Sequence, residues 1–413
     1  MMRPAMAAAL LLVITSAPAW GAKEVVPPSA DAAAVAASGG AFGVDLYGKL
    51  AAGEGNVLFS PLSLHSALTM TWAGAGGRTA DEMAKVLRLT MPKDRVGRAY
   101  GAVIHTLAEG GEAGEGEEKK PYALYLASAL WKQKGLKTGE AFMQSLRSNY
   151  LASVFETDFA KPEAARATIN DWVGGFTEHK IKDLVPAGVL LPRTRVLLAN
   201  AIYFKSNWES PFSKGQTHDG PFHVAADKTV TVPMMSNAEH RGYLETADFQ
   251  AVELRYANRA QSMVIFLPKK VDGLAAFEKS LTADALAGWL KKLKSADVDL
   301  KLPRFQAATA MRLTPALQAL GIKDAFSQTA DFTGIAQAAE GLFLSDVVHS
   351  TMISVDEYGT AAAAASAVSL EAKDGEAPQS VTVDHPFFFV IRDGASGAVL
   401  FMGRVVNPKA VTE

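Results

Sequence analysis

The chain contains no cysteine. That excludes disulfides, thiolate metal sites, cysteine nucleophiles and a lipidated cysteine anchor. Charge of one sign is lacking as well. The 41 Lys and Arg residues stand against 43 Asp and Glu, a formal net charge of −2. The whole-molecule field therefore announces neither nucleic acid nor an anionic membrane as a partner. Long apolar runs are missing: the N-terminal run Ala5–Ile14 has ten residues, against the roughly 20 that span a bilayer. There is no GxSxG, HExxH, Walker loop or GxGxxG, so the corresponding enzyme classes have no motif in their favour. The eight histidines are scattered, and His218 and His223, five apart beside a predicted strand, are poorly spaced as metal ligands. No metal, no cofactor and no catalytic residue is expected.

What is present is 413 residues, 49% hydrophobic and 20% charged, ample for a sizeable core. Residues 1–22 are laid out as a signal peptide: Arg3, the apolar run Ala5–Ile14, and Ala17-Pro18-Ala19, with cleavage around 19–22. The mature domain would then be 23–413. Export without cysteine fits a bacterial periplasmic or extracellular protein. From 23 to about 40 the composition reads as loose, with a helix following to Ala51. Asn56–Phe59 reads as a short buried strand, Ser60-Pro61 as the start of a helix, and Thr79 as the cap of the next. Residues 109–120 are acidic and glycine-rich, a surface loop by composition. Strands are predicted at 124–131, 196–204, 229–235, 250–256, 261–267 and 297–305, with helices at 164–182, 274–279, 283–294 and 311–320. A hairpin is predicted across Pro386–Val406. No repeat or linker is visible, and the order of elements reads as one mixed α+β domain.

The stretch Glu357–Lys373, EYGTAAAAASAVSLEAK, suits two conformations. It is small and polar enough for an exposed loop. As a strand, it would put Thr360, Ala362, Ala364, Ser366, Val368 and Leu370 on one face and Ala361, Ala363, Ala365, Ala367, Ser369 and Glu371 on the other. An alanine-rich surface helix is the plain alternative, weakened by Gly359-Thr360 at its start and by the lack of charged i,i+4 partners.

Several segments, in order, carry a resemblance to the serpin family across about 40–408. They are NVLFSPLSLHSAL (56–68), INDWV (169–173), TEHKI (177–181), NAIYFKSNWESPF (200–212) with Thr217, Phe222 and Met234-Met235, LPRFQ (302–306), LGIKDAF (320–326), ADFTGI (330–335), DEYGTAAAAASAV (356–368), DHPFFFVIRD (384–393) and FMGRVVNP (401–408). The resemblance implies an α+β single domain with a large mixed main sheet, additional sheets, about eight to nine helices and an exposed reactive-centre loop near the C-terminus. It also implies a metastable fold whose loop is cut by a target serine protease, traps it as an acyl-enzyme and inserts into the main sheet, a strand addition known for this family. About 14–16 inserted residues span roughly 50 Å, close to the diameter of about 55 Å expected for a domain of this size.

Residue by residue, the resemblance implies a hinge at Glu357, Gly359, Thr360, Ala361, Ala362, Ala363, Ala364 and Ala365. It implies a polar shutter at Ser60, Ser63, Asn200 and His349, and a breach tryptophan at Trp208. The plain alternatives are a helix cap, a helix serine, a strand asparagine, a satisfied histidine and an ordinary core tryptophan. Tyr358 and Ala361 stand where acidic residues are common in the family, and His179 where glycine is usual. Counting seventeen residues from Glu357 reaches Lys373, which puts the reactive bond at Lys373–Asp374 and favours a trypsin-like target. Leu370 or Ala372 would instead suit chymotrypsin- or elastase-like enzymes. The acidic loop after the early helices argues against a heparin-type cofactor. The expectation is a secreted monomeric inhibitor, not an enzyme, with no nucleic acid or membrane partner. A non-inhibitory binding or chaperone-like module and a cysteine protease inhibitor stand as the alternatives.

Overall fold

The computed structural model describes residues 29–109, 122–150, 152–176, 183–336, 341–360 and 377–408. The proposed signal segment 1–22, the acidic loop, His179, Ala361–Ala365 and the Lys373–Asp374 bond all lie outside these residues. In chain order the helices are α1 Ala30–Leu50, α2 Pro61–Ala73, α3 Gly77–Val86, α4 Lys93–Glu109, α5 Glu140–Ser145, α6 Pro162–Phe176, α7 Leu274–Ser280, α8 Ala283–Lys292 and α9 Thr314–Leu320. The strands run β1 Val57–Phe59, β2 Tyr122–Gln133, β3 Ser153–Thr157, β4 Val196–Asn207, β5 His218–Ala225, β6 Lys228–Glu245, β7 Phe249–Arg255 and β8 Gln261–Pro268. They continue with β9 Lys294–Pro303, β10 Phe305–Arg312, β11 Leu344–Val355, β12 Gly359–Thr360, β13 Gln379–Thr382, β14 Phe387–Asp393 and β15 Val399–Val405.

Two sheets organise the molecule. One is ordered β1-β15-β14-β8-β7-β6-β9-β13, with β5 added on β6. Its C-terminal hairpin supplies a continuous buried run, Phe387–Ile391, against Val399–Val405. The other is the main sheet, ordered β10-β11-β12-β4-β2-β3. Its middle is unusual. Strands β4 and β11 pair directly in parallel from Val196/Leu344 to Tyr203/Met352. Only at the end near Ser206 does the two-residue β12 come between them, antiparallel to both. The sheet is thus closed along most of its length and parted at one end.

Side-chain alternation along β4 assigns its two faces. Leu198, Ile202 and Phe204 join the principal core with α2, whereas Leu197, Ala199 and Ala201 pack with Ile169 and Val173 of α6. The α6 helix therefore covers the opposite face of the main sheet. Every residue of α2 from Pro61 to Trp72 is buried, which fits a helix without a single Lys, Arg, Asp or Glu. Ser60 caps it, its Oγ accepting the Ser63 N–H at 3.1 Å, with Pro61 at the first position as its sequence suggests.

Two local expectations are corrected. The segment read as loose to about residue 40 is helical from Ala30, capped by Ser29. Its small residues permit close packing: a Cβ on Gly43 would lie 2.7 Å from Pro61 Cγ. Tertiary burial thus decides where composition alone suggested disorder. Thr79 does not cap α3, whose N-cap is Gly76. The Thr79 hydroxyl donates to Asp324 and accepts the Asp331 N–H at 2.8 Å, tying α3 to a distant turn.

Candidate functional site

Those of the hinge, shutter and breach residues that the structure describes gather at two places on the main sheet. The first is its centre. Strand register puts Ser128 opposite Asn200 and Asn200 opposite His349, a polar row across β2, β4 and β11. The N-terminus of α2 closes the row from behind. The Ser60 N–H donates to His349 Nε2 at 3.1 Å, so the ring proton sits on Nδ1, which donates to Asn200 Oδ1 at 2.7 Å. Asn200 Nδ2 donates to Ser63 Oγ at 2.7 Å and to Ser128 Oγ at 2.9 Å. Ser60, Ser63, Asn200 and His349 are thus brought into one hydrogen-bonded cluster. Burial holds His349 neutral, its pKa lowered to about 3. Groups of this kind can exchange partners when strands part, whereas an apolar seam offers no such substitution.

The second place is the parted end of the sheet, where the chain leaves β11. Asp356 turns the backbone back on itself: its Oδ1 accepts the N–H groups of Tyr358 at 2.9 Å and Gly359 at 3.2 Å. Burial raises the Asp356 pKa against these two bonds. The turn is clamped from the β4 side. The Trp208 N–H donates to Tyr358 O at 2.7 Å, and the Phe212 N–H to Glu357 O at 2.8 Å. The Trp208 indole Nε1–H donates to Asp356 O at 3.0 Å, while its ring stacks on Tyr256 at 4.6 Å.

Glu357 is 1% exposed and held by charge-assisted bonds. Its Oε1 accepts from Arg304 Nε at 2.8 Å and Thr217 Oγ1 at 2.6 Å. Burial pushes its pKa up, but the Arg304 and Thr217 bonds outweigh it and the net direction is down. Gly359 and Thr360 enter the sheet opposite Asn207 and Ser206. Thr360 is fully buried, with its Oγ1 2.8 Å from Tyr256 Oη. Its side chain occupies the same face as the polar row.

This architecture has known counterparts. The family model described as Serpin (serine protease inhibitor) matches residues 37–408. The chain belongs to the serpin family. A serpin-like protein of Thermococcus kodakarensis is 39% identical over 375 residues, covering 89% of this chain and 84% of its own length. The leukocyte elastase inhibitor of Equus caballus is 36% identical over 379 residues, covering 89% and 97%. Among solved structures, human thyroxine-binding globulin in complex with thyroxine superposes with a TM-score of 0.82 at 28% identity, covering 92% of this chain and all of that one. The serpin fold expected from the sequence is therefore the fold observed. The family is one of protease inhibitors.

Three partners of this serpin's site escaped the sequence reading. Ser128 is the lone polar residue in the otherwise apolar run Ala123–Trp131, a signal that was legible. Arg304 and Tyr256 offered none, because each acts through a contact with a residue far along the chain. Among the described residues no helix is long and apolar enough to cross a membrane.

Proposed function

We propose that this serpin inhibits serine endopeptidases as a suicide substrate. A protease cuts the loop after β12, the acyl-enzyme is trapped, and the freed strand inserts between β4 and β11. The observation that carries the reading is the parted sheet: Gly359 and Thr360 of β12 stand between β4 and β11 at the end of a seam that is closed below them. Extending the pairing of Gly359 with Asn207 and Thr360 with Ser206 brings Leu370 opposite Val196, the first residue of β4. Twelve residues, 359–370, would thus fill the strand from end to end, about 40 Å. The reactive bond at Lys373–Asp374, or alternatively after Leu370 or Ala372, then leaves the sheet at the pole opposite the hinge.

The faces agree with this path. Residues 361, 363, 365 and 367 are all alanine and would pass beneath α6, where Ala199 and Ala201 already line the seam. Thr360 begins the opposite face, toward α2. A charge buried on either face without a partner would cost several kcal/mol.

The test is reaction of the purified chain with trypsin-, chymotrypsin- and elastase-like enzymes. An SDS-stable adduct near the summed mass is expected, with mass spectrometry of the released peptide fixing the cut bond. Simple cleavage by all three overturns inhibition. Likeness to the elastase inhibitors keeps a small or apolar residue at the cut in contention with Lys373. A non-inhibitory binding module is the second reading, supported by the likeness to thyroxine-binding globulin. A large rise in melting temperature after loop cleavage separates the two, because only insertion supplies it. Export through residues 1–22 to the periplasm or beyond, and action as a monomer, complete the proposal.

A further inference from the structure

The connection between β4 and β5 wraps the turn that precedes β12. Its hold on that turn is largely main-chain. The Trp208 and Phe212 N–H groups donate to Tyr358 O and Glu357 O, and the Trp208 indole donates to Asp356 O. Two side chains extend the hold: Thr217 Oγ1 donates to Glu357 Oε1, and Lys214 places its Nζ 5.4 Å from the centre of the Tyr358 ring. Lys214 opens the short 3-10 turn Lys214–Gln216, two residues past Phe212. The connection is itself anchored. The Glu209 N–H donates to Arg255 O at 2.8 Å, and the Arg241 guanidinium lies 5.9 Å from the centre of the Phe212 ring.

The contact on Tyr358 differs in kind from the others. The main-chain bonds are open to any residue at 358, and Glu357 is buried with its carboxylate taken by Arg304 and Thr217. Tyr358 is only partly buried and Lys214 is exposed. An ammonium within about 6 Å of a ring centroid is attracted by the ring quadrupole. Tyr358 also has no slack toward the strand. It directly precedes Gly359, which runs so close to Ser206 that no Cβ fits there. Its own N–H bonds Asp356 Oδ1 and its carbonyl accepts from Trp208. Holding the ring therefore holds the backbone on which β12 begins.

We propose that Lys214 and Tyr358 form a latch that keeps β12 seated between β4 and β11 in the uncut chain. A seated β12 gives the cut loop a paired register from which to start. That consequence rests on the inhibitory reading, whereas the latch in the uncut chain does not. An exposed contact of this type is worth about two- to fivefold in an equilibrium, so it tunes the seating without making it permanent.

The experiment is hydrogen exchange of the uncut full chain, read at Tyr358 and Gly359, whose N–H groups both bond Asp356 Oδ1. Tyr358→Leu and Lys214→Met should each speed their exchange by about two- to fivefold. Tyr358→Phe and Lys214→Arg keep a ring and a cation and should exchange at the parent rate. Tyr358→Leu combined with Lys214→Met should exchange no faster than the faster single variant, because both remove one contact. Parent-like exchange in both single variants, additive effects in the double, or accelerated exchange in the conservative pair overturns the latch. On a protease that traps the parent chain, Lys214→Met should raise the ratio of cleaved product to adduct by about two- to fivefold, with Lys214→Arg parent-like. An unchanged ratio overturns the role in strand entry. A parent chain that forms no adduct removes the inhibitory reading alone, and the exchange rates still decide the latch.

Discussion

Gly359→Ala probes how the hinge enters the sheet. Gly359 has φ +157°, and a Cβ there would overlap the carbonyl oxygen of Ser206 and lie 2.7 Å from Asn207 Cα. Both are backbone atoms in a twelve-residue strand, so neither can rotate aside. The substitution must displace β12 from its place. The buried bond between Thr360 and Tyr256 is then lost, worth about 1 kcal/mol. Were β12 to stay in place instead, an L-residue at this φ would carry about 1–3 kcal/mol of strain. Either way the step that starts insertion is raised about 1–3 kcal/mol, a slowing of about 5- to 150-fold. In the proposed mechanism insertion competes with deacylation, so the partition would shift from trapped adduct to cleaved product. The assay is the ratio of the two on a denaturing gel, using whichever protease traps best on the parent chain. Expected is a fall of adduct to a minor fraction with cleavage intact. Parent-like adduct yield from Gly359→Ala would falsify the claim that insertion proceeds through this close contact.

Three further perturbations test neighbouring parts of the argument. Asn200→Ala strands the His349 Nδ1–H and both serine hydroxyls, so a loss of about 3–5 kcal/mol is expected in urea unfolding; a loss below about 1 kcal/mol would mean the cluster is not coupled as drawn. His65 and His349 are buried neutral with pKa values of about 4 and about 3, below the ordinary 6.5. Their stabilisation is therefore complete above about pH 6.5 and is lost as pH falls toward those values. At pH 5 each should cost about 2 kcal/mol relative to neutral pH, and a flat unfolding midpoint between pH 7.5 and 5 would contradict neutral burial. Thr360→Arg puts a charge at a site with no exposure, between two paired strands, and should convert trapping into plain cleavage; adduct retained by that variant counts against insertion.

What was legible in the sequence were features written in local chemistry. The Ser60-Pro61 start of α2, the apolar run of β4 and the C-terminal hairpin follow from capping, periodicity and turn residues, and each element is found there. The α1 helix was half missed, because alanine and glycine carry no amphipathic signature and only packing on α2 reveals their use. Thr79 failed for the opposite reason. It has the local form of a cap, but the hydroxyl is claimed by Asp324 and Asp331 some 250 positions away. Arg304 and Tyr256 likewise join the site through contacts far along the chain, which one residue string does not display.

The placement of the polar row explains why it is polar at all. A sheet required to stay shut needs only apolar packing between β4 and β11. This one carries Asn200 and His349 at adjacent positions in its middle, linked to each other and to the start of α2. Extending the pairing of Thr360 with Ser206 and with Val355 places residue 366 between these two side chains. Residue 366 is serine, flanked by Ala365 and Ala367, and it would share the face of Thr360. Its hydroxyl can donate and accept, so in the proposed insertion the bond broken between Asn200 and His349 would be replaced rather than lost. A seam built this way resists parting, because separation alone leaves buried groups unmet, yet under the proposed insertion it would lose little once the strand had arrived. The same logic predicts that Ser366→Val should leave the intact protein's stability unchanged while lowering that of the cleaved, inserted form, a pattern readable from the two melting temperatures. Equal melting temperatures for parent and variant in the cleaved form would remove Ser366 from the row.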